Sequence, residues 1–458
     1  MFGMRKKGKS IYLLSVIIIL MLSGCTPGST PSESSKSGEK GSPNPVTLEW
    51  WVNPSLGFVE ENDIKQVITE YKKVAPHVTI NYGIVPATSV DEKINVAIAS
   101  DSFPDVYVDA INRLGPLYVR GITAELDSYM TDDYNYKEYL DSAKALMNID
   151  GKIGLILMEI RSEVIMLNKD LFVKAGVQNL LPDAKTKAWS KDSFAKAAEA
   201  IGKLGNGVYG FGLAASEITN DKMIDGFIYA DGDEYTNKER NKVTFNTPGN
   251  VKKLEWVTQQ AKAPYTVPGT AGNKVPDLYE LFKQGKIGIM TNDAGQYRSH
   301  TEAGIVPKTF EYMNAFYPTD DGSAGKLLIN GSGIAVKKQE NKVKEKEAAN
   351  FALWFSNGKI DIVNKVVYQK ASKLPTRKSL QSFIVDEHGK ELLAMLEQGK
   401  GINNPVIIPN YQQIRKVWFN YYQPVMLNDG KVTAKDALAA YEKEAQKLLD
   451  EGNKQSKK

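Results

Sequence analysis

One cysteine and three histidines in 458 residues leave several chemistries without their usual ligands and nucleophiles. A single thiol cannot close an internal disulfide, and His77, His300 and His388 stand too far apart to form metal-ligand spacing. The body of the chain has no reactive-cysteine motif and no G-x-S-x-G elbow, and none of its 54 Asp and Glu falls in an ordered motif of paired catalytic carboxylates. No charge sign dominates either. The 58 Lys and Arg exceed the acids by four, and four of the bases, Arg5, Lys6, Lys7 and Lys9, sit together at the start; the rest of the chain balances. The clustered basic excess that nucleic acid requires is therefore missing. Segments such as "KKQENKVKEKE", from Lys337, mix both signs and suit a solvated helix face. After the first apolar run, no stretch is long enough to cross a bilayer.

The place of the lone cysteine explains its use. Behind the four bases comes "IYLLSVIIILM" (Ile11 to Met21), then "LSGC" (Leu22 to Cys25): a basic start, a short apolar core and small residues at a cut, the order of a secretory signal. "LSGC" resembles the lipobox of bacterial lipoproteins, whose cysteine is diacylated and becomes the first mature residue. The resemblance implies a signal peptide over 1–24 and a lipid on Cys25; an ordinary signal, or an uncleaved anchor with an incidental cysteine, is the alternative. Thr26 to Pro45, "TPGSTPSESSKSGEKGSPNP", has no large apolar residue and cannot pack. With Cys25 it forms a flexible tether over 25–45, spanning roughly 25 Å as a coil.

From residue 46 the composition is that of a globular body, 42% hydrophobic and 24% charged over the whole chain, long enough for two or three cores. "VTLEWWV" is strand-like; Ile64, Val67, Ile68 and Tyr71 fall at helical spacing; Val78, Ile80, Tyr82 and Ile84 alternate. A helical segment near Asp91 to Ala99 then leads to "VYV", the short apolar run of a doubly covered strand. Alternating strands and helices predict an α/β layer fold. Ligands in such folds sit beyond the carboxyl ends of strands, which makes Asn53, Ser55 and Asp109 cleft candidates. Each could equally cap a helix or form a turn, Asp109 ahead of "AINRLGPLYV" in particular.

Seven segments in order carry a wider resemblance: "IASDSFPDVYVDAINRLGPLYVRGITAELDSYM", "DGKIGLILMEIRSEVIMLNKDLFVKAGV", "WSKDSFAKAAEAIGKLGNGVYGFGL", "LFKQGKIGIMTNDAG", "GSGIAVKK", "AANFALWFS" and "KLPTRKSL". Together they resemble the family 1 extracellular solute-binding proteins, the sugar-capturing lipoproteins of bacterial ABC importers, over about Val46 to Leu449. The resemblance implies a two-lobe, type II periplasmic-binding-protein-like α/β fold with discontinuous lobes, 46–157 plus 291–352 and 158–290 plus 353–458, joined by a multi-segment hinge. Crossings are expected near Leu157 to Arg161, Thr291, and Ala349 to Leu353.

The family's ligand is a sugar, whose rim hydroxyls suit Asp, Asn, Glu and Arg and whose C–H face stacks on aromatic rings. Matching position by position, the resemblance implies ligand contacts from Asn53 and Ser55; from Asp109, Asn112 and Arg113; from Glu159 and Arg161 at the first crossing; and from Asn292 and Asp293 at the second. Glu217, Asp225 and Tyr229 match the second lobe. Trp418 in "QIRKVWFNYYQP" matches the family's stacking tryptophan, although Trp418, Tyr421 and Tyr422 share one helical face and such a stripe also describes a core. Tyr421 is a contact candidate on the same ground. The chain departs from the family at Leu157, Met158, Leu167 and Gly295, where proline, tyrosine or a second stacking tryptophan is common; Tyr297 is the aromatic nearest the last. Arg161 is unusual there too: it suits either a pair with Glu159 or the carboxylate of a uronic acid. The resemblance further implies no catalysis, no cofactor, a monomer on the outer face of a Gram-positive cytoplasmic membrane, and delivery to ABC permease subunits. A secreted carbohydrate-active enzyme and a surface lipoprotein without a transport role are the alternatives.

Overall fold

The computed structural model describes residues 44–86, 89–231, 233–293, 309–398, 407–427 and 431–456. The expected signal, Cys25 and the tether as far as residue 43 lie outside the described residues, as do Gly295 and Tyr297; Asp293 is described by its backbone alone. Among the described residues no helix is long and apolar enough to cross a membrane.

The expected alternation of elements opens the body. Strand β1 (Val46–Val52) buries Leu48, Trp50 and Val52 while Thr47 and Glu49 point to solvent. The helix Glu61–Val74 follows, with Ile64, Val67 and Tyr71 inward, acids in its first turn and Lys72 and Lys73 in its last, as the helix dipole favours. Strand β2 (Val78–Ile84) then pairs parallel with β1, and β3 (Val106–Ala110) pairs parallel on its other side. The short hairpin β4 (Asn148–Ile149) and β5 (Lys152–Ile153) turns on Asp150 and Gly151, both at positive φ. Next come β6 (Ile156–Asn168), β7 (Tyr209–Gly212), β8 (Ile287–Asp293), β9 (Tyr312–Ala315) and β10 (Ile329–Val336).

The order β2-β1-β3-β10-β6-β8-β7, with β9 also on β6, turns on the long strand β6. Its first half, to Ser162, pairs with β10; from Glu163 onward it pairs with β8, and from Ile165 with β9 as well. Each half carries its own aromatic core. Trp50 packs edge-on to Phe351 and Phe355 at 5.1 and 5.5 Å, while Phe194 meets Phe211 at 5.0 Å and Phe227 meets Tyr317 at 4.7 Å on the other side. Two packed bodies on one shared strand make the two-lobe, type II α/β fold.

The pairing moves two of the expected crossings. Thr291 lies inside β8 opposite Ile165, and β9 stays on the same half of β6, so the chain returns to the first lobe only after Ala315. Ala349 to Leu353 lie inside one unbroken helix, Lys342–Ser356, packed on β1, β3 and β10. Beyond it, Leu374 O still accepts from Ile160 N at 3.0 Å and Thr376 Oγ1 donates to Leu157 O at 2.9 Å. The helix Glu387–Gln398 then packs on β9 and on the helix Asp141–Met147. For Thr291 the reason is that a crossing strand with covered faces reads as the same apolar run as an ordinary buried strand.

Candidate ligand-binding site

The ends of β1 and β3 hold the first group of polar residues. Asn53 Oδ1 accepts from Ser55 N at 3.1 Å and its Nδ2 donates to Val85 O at 3.2 Å, so Asn53 fixes the turn into the 3-10 segment Pro54–Leu56. That leaves Ser55 Oγ buried without a hydrogen-bond partner among the described residues. Asp109 is fully buried. It accepts from the Tyr107 hydroxyl, from Ala110 N at 2.6 Å and from Arg113 Nη1 at 3.3 Å. Burial pushes its carboxyl up, with Arg113 and the other donors pulling the opposite way. Asp109 is not the cap of the helix Ile111–Val119, whose cap position is Ala110. Arg113 Nε reaches Asp91 Oδ1 at 2.8 Å, and Asn112 lies buried beside it.

On β6, Glu159 and Arg161 point to the same face at a spacing of two, and the guanidinium pairs with the buried carboxylate. Glu159 stands opposite Ser332 of β10 and Arg161 opposite Asn330. Ser332 Oγ and Asn330 Nδ2 are buried without partners among the described residues, so this junction collects donors and acceptors that the fold itself does not fill.

The third group comes from the second lobe. The helix Asp221–Tyr229 is buried along its whole length and carries Asp221, Lys222 and Asp225. Facing it, the helix Tyr411–Met426 sends Arg415 in a fork onto Asp221, Nε to Oδ2 and Nη2 to Oδ1 at 2.7 Å. Burial opposes the Arg415 charge, but Asp221 more than restores it and holds the group above its ordinary value. Trp418 Nε1 donates to Asp225 Oδ1 at 2.8 Å. Burial, then the charge of Asp221, push the Asp225 carboxyl well above the carboxylate range.

Several of the expected contact residues have protein partners of their own. Trp418 is 2% exposed, its ring 4.7 Å from Tyr441 and 5.4 Å from Phe245; it is packed in an aromatic cluster rather than offered as an open stacking face. Tyr229 packs on Phe245 at 5.6 Å in the same cluster. Tyr421 turns outward, its hydroxyl donating to Glu444 at 2.8 Å. Glu217 is exposed, forms a capping box with Asn220, and accepts on its carbonyl from Tyr422. Asn292 is buried and accepts from the Tyr279 hydroxyl. Other residues join the site without having been expected there: Asp91, Tyr107, Glu163, Asp221, Lys222 and Arg415. Asp221, Lys222 and Asp225 interrupt an otherwise apolar helix, and charges in such a setting were the signal to follow.

The lobes also touch. Gln412 Nε2 donates to Asn112 O at 2.8 Å and Lys416 Nζ lies 3.7 Å from Asp91 Oδ2. A groove runs between them, with Asn112, Arg113 and Arg120 on one wall and Tyr411, Gln412 and Lys416 on the other. Polar groups converging from two lobes on a shared strand define a solute-binding protein of the periplasmic-binding type.

Comparison with known proteins places the chain within that class. The model of the bacterial extracellular solute-binding proteins matches residues 66–389, and the chain belongs to this family. A protein of Brucella abortus named as a binding protein is 25% identical over 377 residues, 82% of this chain and 88% of its own. The fold is shared with the sugar-binding protein MalE of Xanthomonas citri, at TM-score 0.72 and 16% identity over 88% of this chain and 98% of that one. It is also shared with the ABC substrate-binding protein of Listeria monocytogenes solved with cycloalternan, at TM-score 0.68 and 19% identity over 89% and 100%.

Proposed function

We propose that this protein is a lipid-anchored receptor that holds a carbohydrate between its lobes and delivers it to an ABC permease, without catalysis. The observation that carries the ligand class is the surplus of hydrogen-bonding capacity at the junction of the lobes. Ser55, Ser332 and Asn330 have unfilled polar atoms among the described residues, close in the sheet to the acid–arginine pairs Asp109–Arg113 and Glu159–Arg161. A hydroxyl-rich ligand fills such atoms without requiring bulk charge. The neighbours that bind sugars on this fold support the same reading. A thermal-shift screen over mono- and oligosaccharides tests it. A ligand at a hundred times its dissociation constant should stabilise the native state by about 2.7 kcal/mol, and the sugar should come back chemically unchanged. No shift from any sugar, or new products, would count against a carbohydrate receptor.

The anchor rests on Cys25 in "LSGC". Cys25→Ala should release the protein from the membrane fraction while its melting temperature stays unchanged, because the tether has no apolar residues to pack. Equal membrane retention of the variant, with no lipid on the wild type by mass spectrometry, contradicts the anchor.

A further inference from the structure

Lys222 stands out on the buried helix Asp221–Tyr229. It is 9% exposed, and its Nζ has neither a hydrogen bond nor an ion pair among the described residues. Charged groups surround it: Arg161 and Glu163 from β6, Arg415 from the facing helix, and Asp221 from its own. Arg415 is held by Asp221 and Arg161 by Glu159. Neither Glu163 nor Asp221 comes within ion-pair distance of the ammonium. Asp225, three residues on, accepts from Trp418, and burial pushes its carboxyl well above the carboxylate range. Burial, only partly offset by Glu163, pushes the Lys222 amine down to about 8. An ammonium on a side chain buried this far, without a protein partner, is unfavourable unless a partner arrives.

We propose that Lys222, with Arg161 beside it, receives the carboxylate of an acidic sugar, so that the cleft selects a uronic acid. The proposal rests on the carbohydrate reading above and narrows it. Arg161 and Arg415 have Glu159 and Asp221 as their own ion-pair partners, whereas the Lys222 ammonium has no such partner among the described residues. A neutral hydroxyl fills a donor but leaves that charge unpaired; a carboxylate fills the donor and balances the charge. Binding an anion should also draw the amine's proton back, giving proton uptake near its titration point.

Isothermal titration of the mature protein with glucuronic and galacturonic acids and their short oligomers, against the methyl esters and the neutral parent sugars, decides the question. The acids should bind, and the esters should bind roughly 10- to 100-fold more weakly. Lys222→Met should lose a similar factor toward the acid and little toward the ester. At about pH 8, heats in two buffers of different ionisation enthalpy should show net proton uptake with the acid. Lys222→Gln and thermal melts check that the variants fold; if both fail to fold, proton uptake by the wild type still decides. Equal affinity for acids and esters, or acid binding without proton uptake, overturns the role of Lys222 while leaving a carbohydrate receptor in place. If neither acids nor neutral sugars bind, the carbohydrate reading falls and this proposal falls with it.

Discussion

Trp418 shows how far a single residue can be read. Its spacing from Tyr421 and Tyr422 was visible, and so was the ambiguity, because a core face and a ligand platform share one period. What decides is Phe245 and Tyr441, brought against the indole by tertiary folding alone. Trp418→Ala should therefore lower stability by about 3–5 kcal/mol, read as a falling denaturation midpoint. Trp418→Phe, which keeps the packing and removes the donor to Asp225, should lose less. A Trp418→Ala protein as stable as wild type would return the ring to the ligand. Glu391 was equally invisible, since its partners are remote or local by fold rather than by motif. Burial works against its charge, but donors from His388, Lys187 and both nitrogens of Asn314 outweigh it and hold the carboxyl down to about 2. A folded value below the unfolded one of 4.5 stabilises the native state above pH 4.5. That stability is lost as pH falls from there toward 2. The contribution is about 3 kcal/mol at neutral pH. Urea titrations at pH 6 and pH 3 should show Glu391→Gln losing less stability on acidification than wild type does.

The elements that alternate in short range were legible. "VTLEWWV", "HVTINYGIV" and "VYV" became β1, β2 and β3 because burial on one face, or on both, writes itself into the residues. The polar ends of β1 and β3 followed, with Asp109 and Arg113 meeting as a pair. Strand β6 was not legible as a crossing, since the switch of partners between Ser162 and Glu163 leaves no mark in "ILMEIRSEVIMLN". Its close fit to β10 is written in glycine instead. The pairing shifts between Ser332 and Gly333, and there a Cβ on Gly333 would run into the Ile156 carbonyl and one on Gly331 into that of Glu159. Backbone cannot swing aside as a side chain does. Gly333→Ala should cost roughly 1–3 kcal/mol or more and, by displacing β6 at Glu159, should also weaken ligand binding. Full stability and full affinity in that variant would show that the strands part more easily than their contact indicates.

At the scale of the molecule, length indicated more than one core and the alternation of strands and helices an α/β body, but the division into two lobes on one strand came from family resemblance and then from the pairing of β6. No local pattern states that Asn112 and Gln412, 300 residues apart, will share a hydrogen bond. Such contacts bear on closure. Cores that stay packed while the shared strand and its neighbours flex allow the lobes to part as bodies, and a ligand that touches both favours the closed form by its differential affinity. Saturating ligand should then lower the radius of gyration in solution scattering. The bridging contacts make the point quantitative. Gln412 to Asn112 is a neutral hydrogen bond, worth about 0.5–1.5 kcal/mol. Lys416 to Asp91 is a partly exposed pair at 3.7 Å, worth about 0–1 kcal/mol and screened by salt. Both exist only while the lobes touch, so removing them penalises closure and leaves each lobe's core intact. Gln412→Ala with Lys416→Ala should weaken ligand binding by roughly 2- to 70-fold. The melting temperature without ligand should hold, and added salt should narrow the gap between variant and wild type. Unchanged affinity together with an unchanged scattering curve at saturation would mean that the site takes its ligand without the lobes moving.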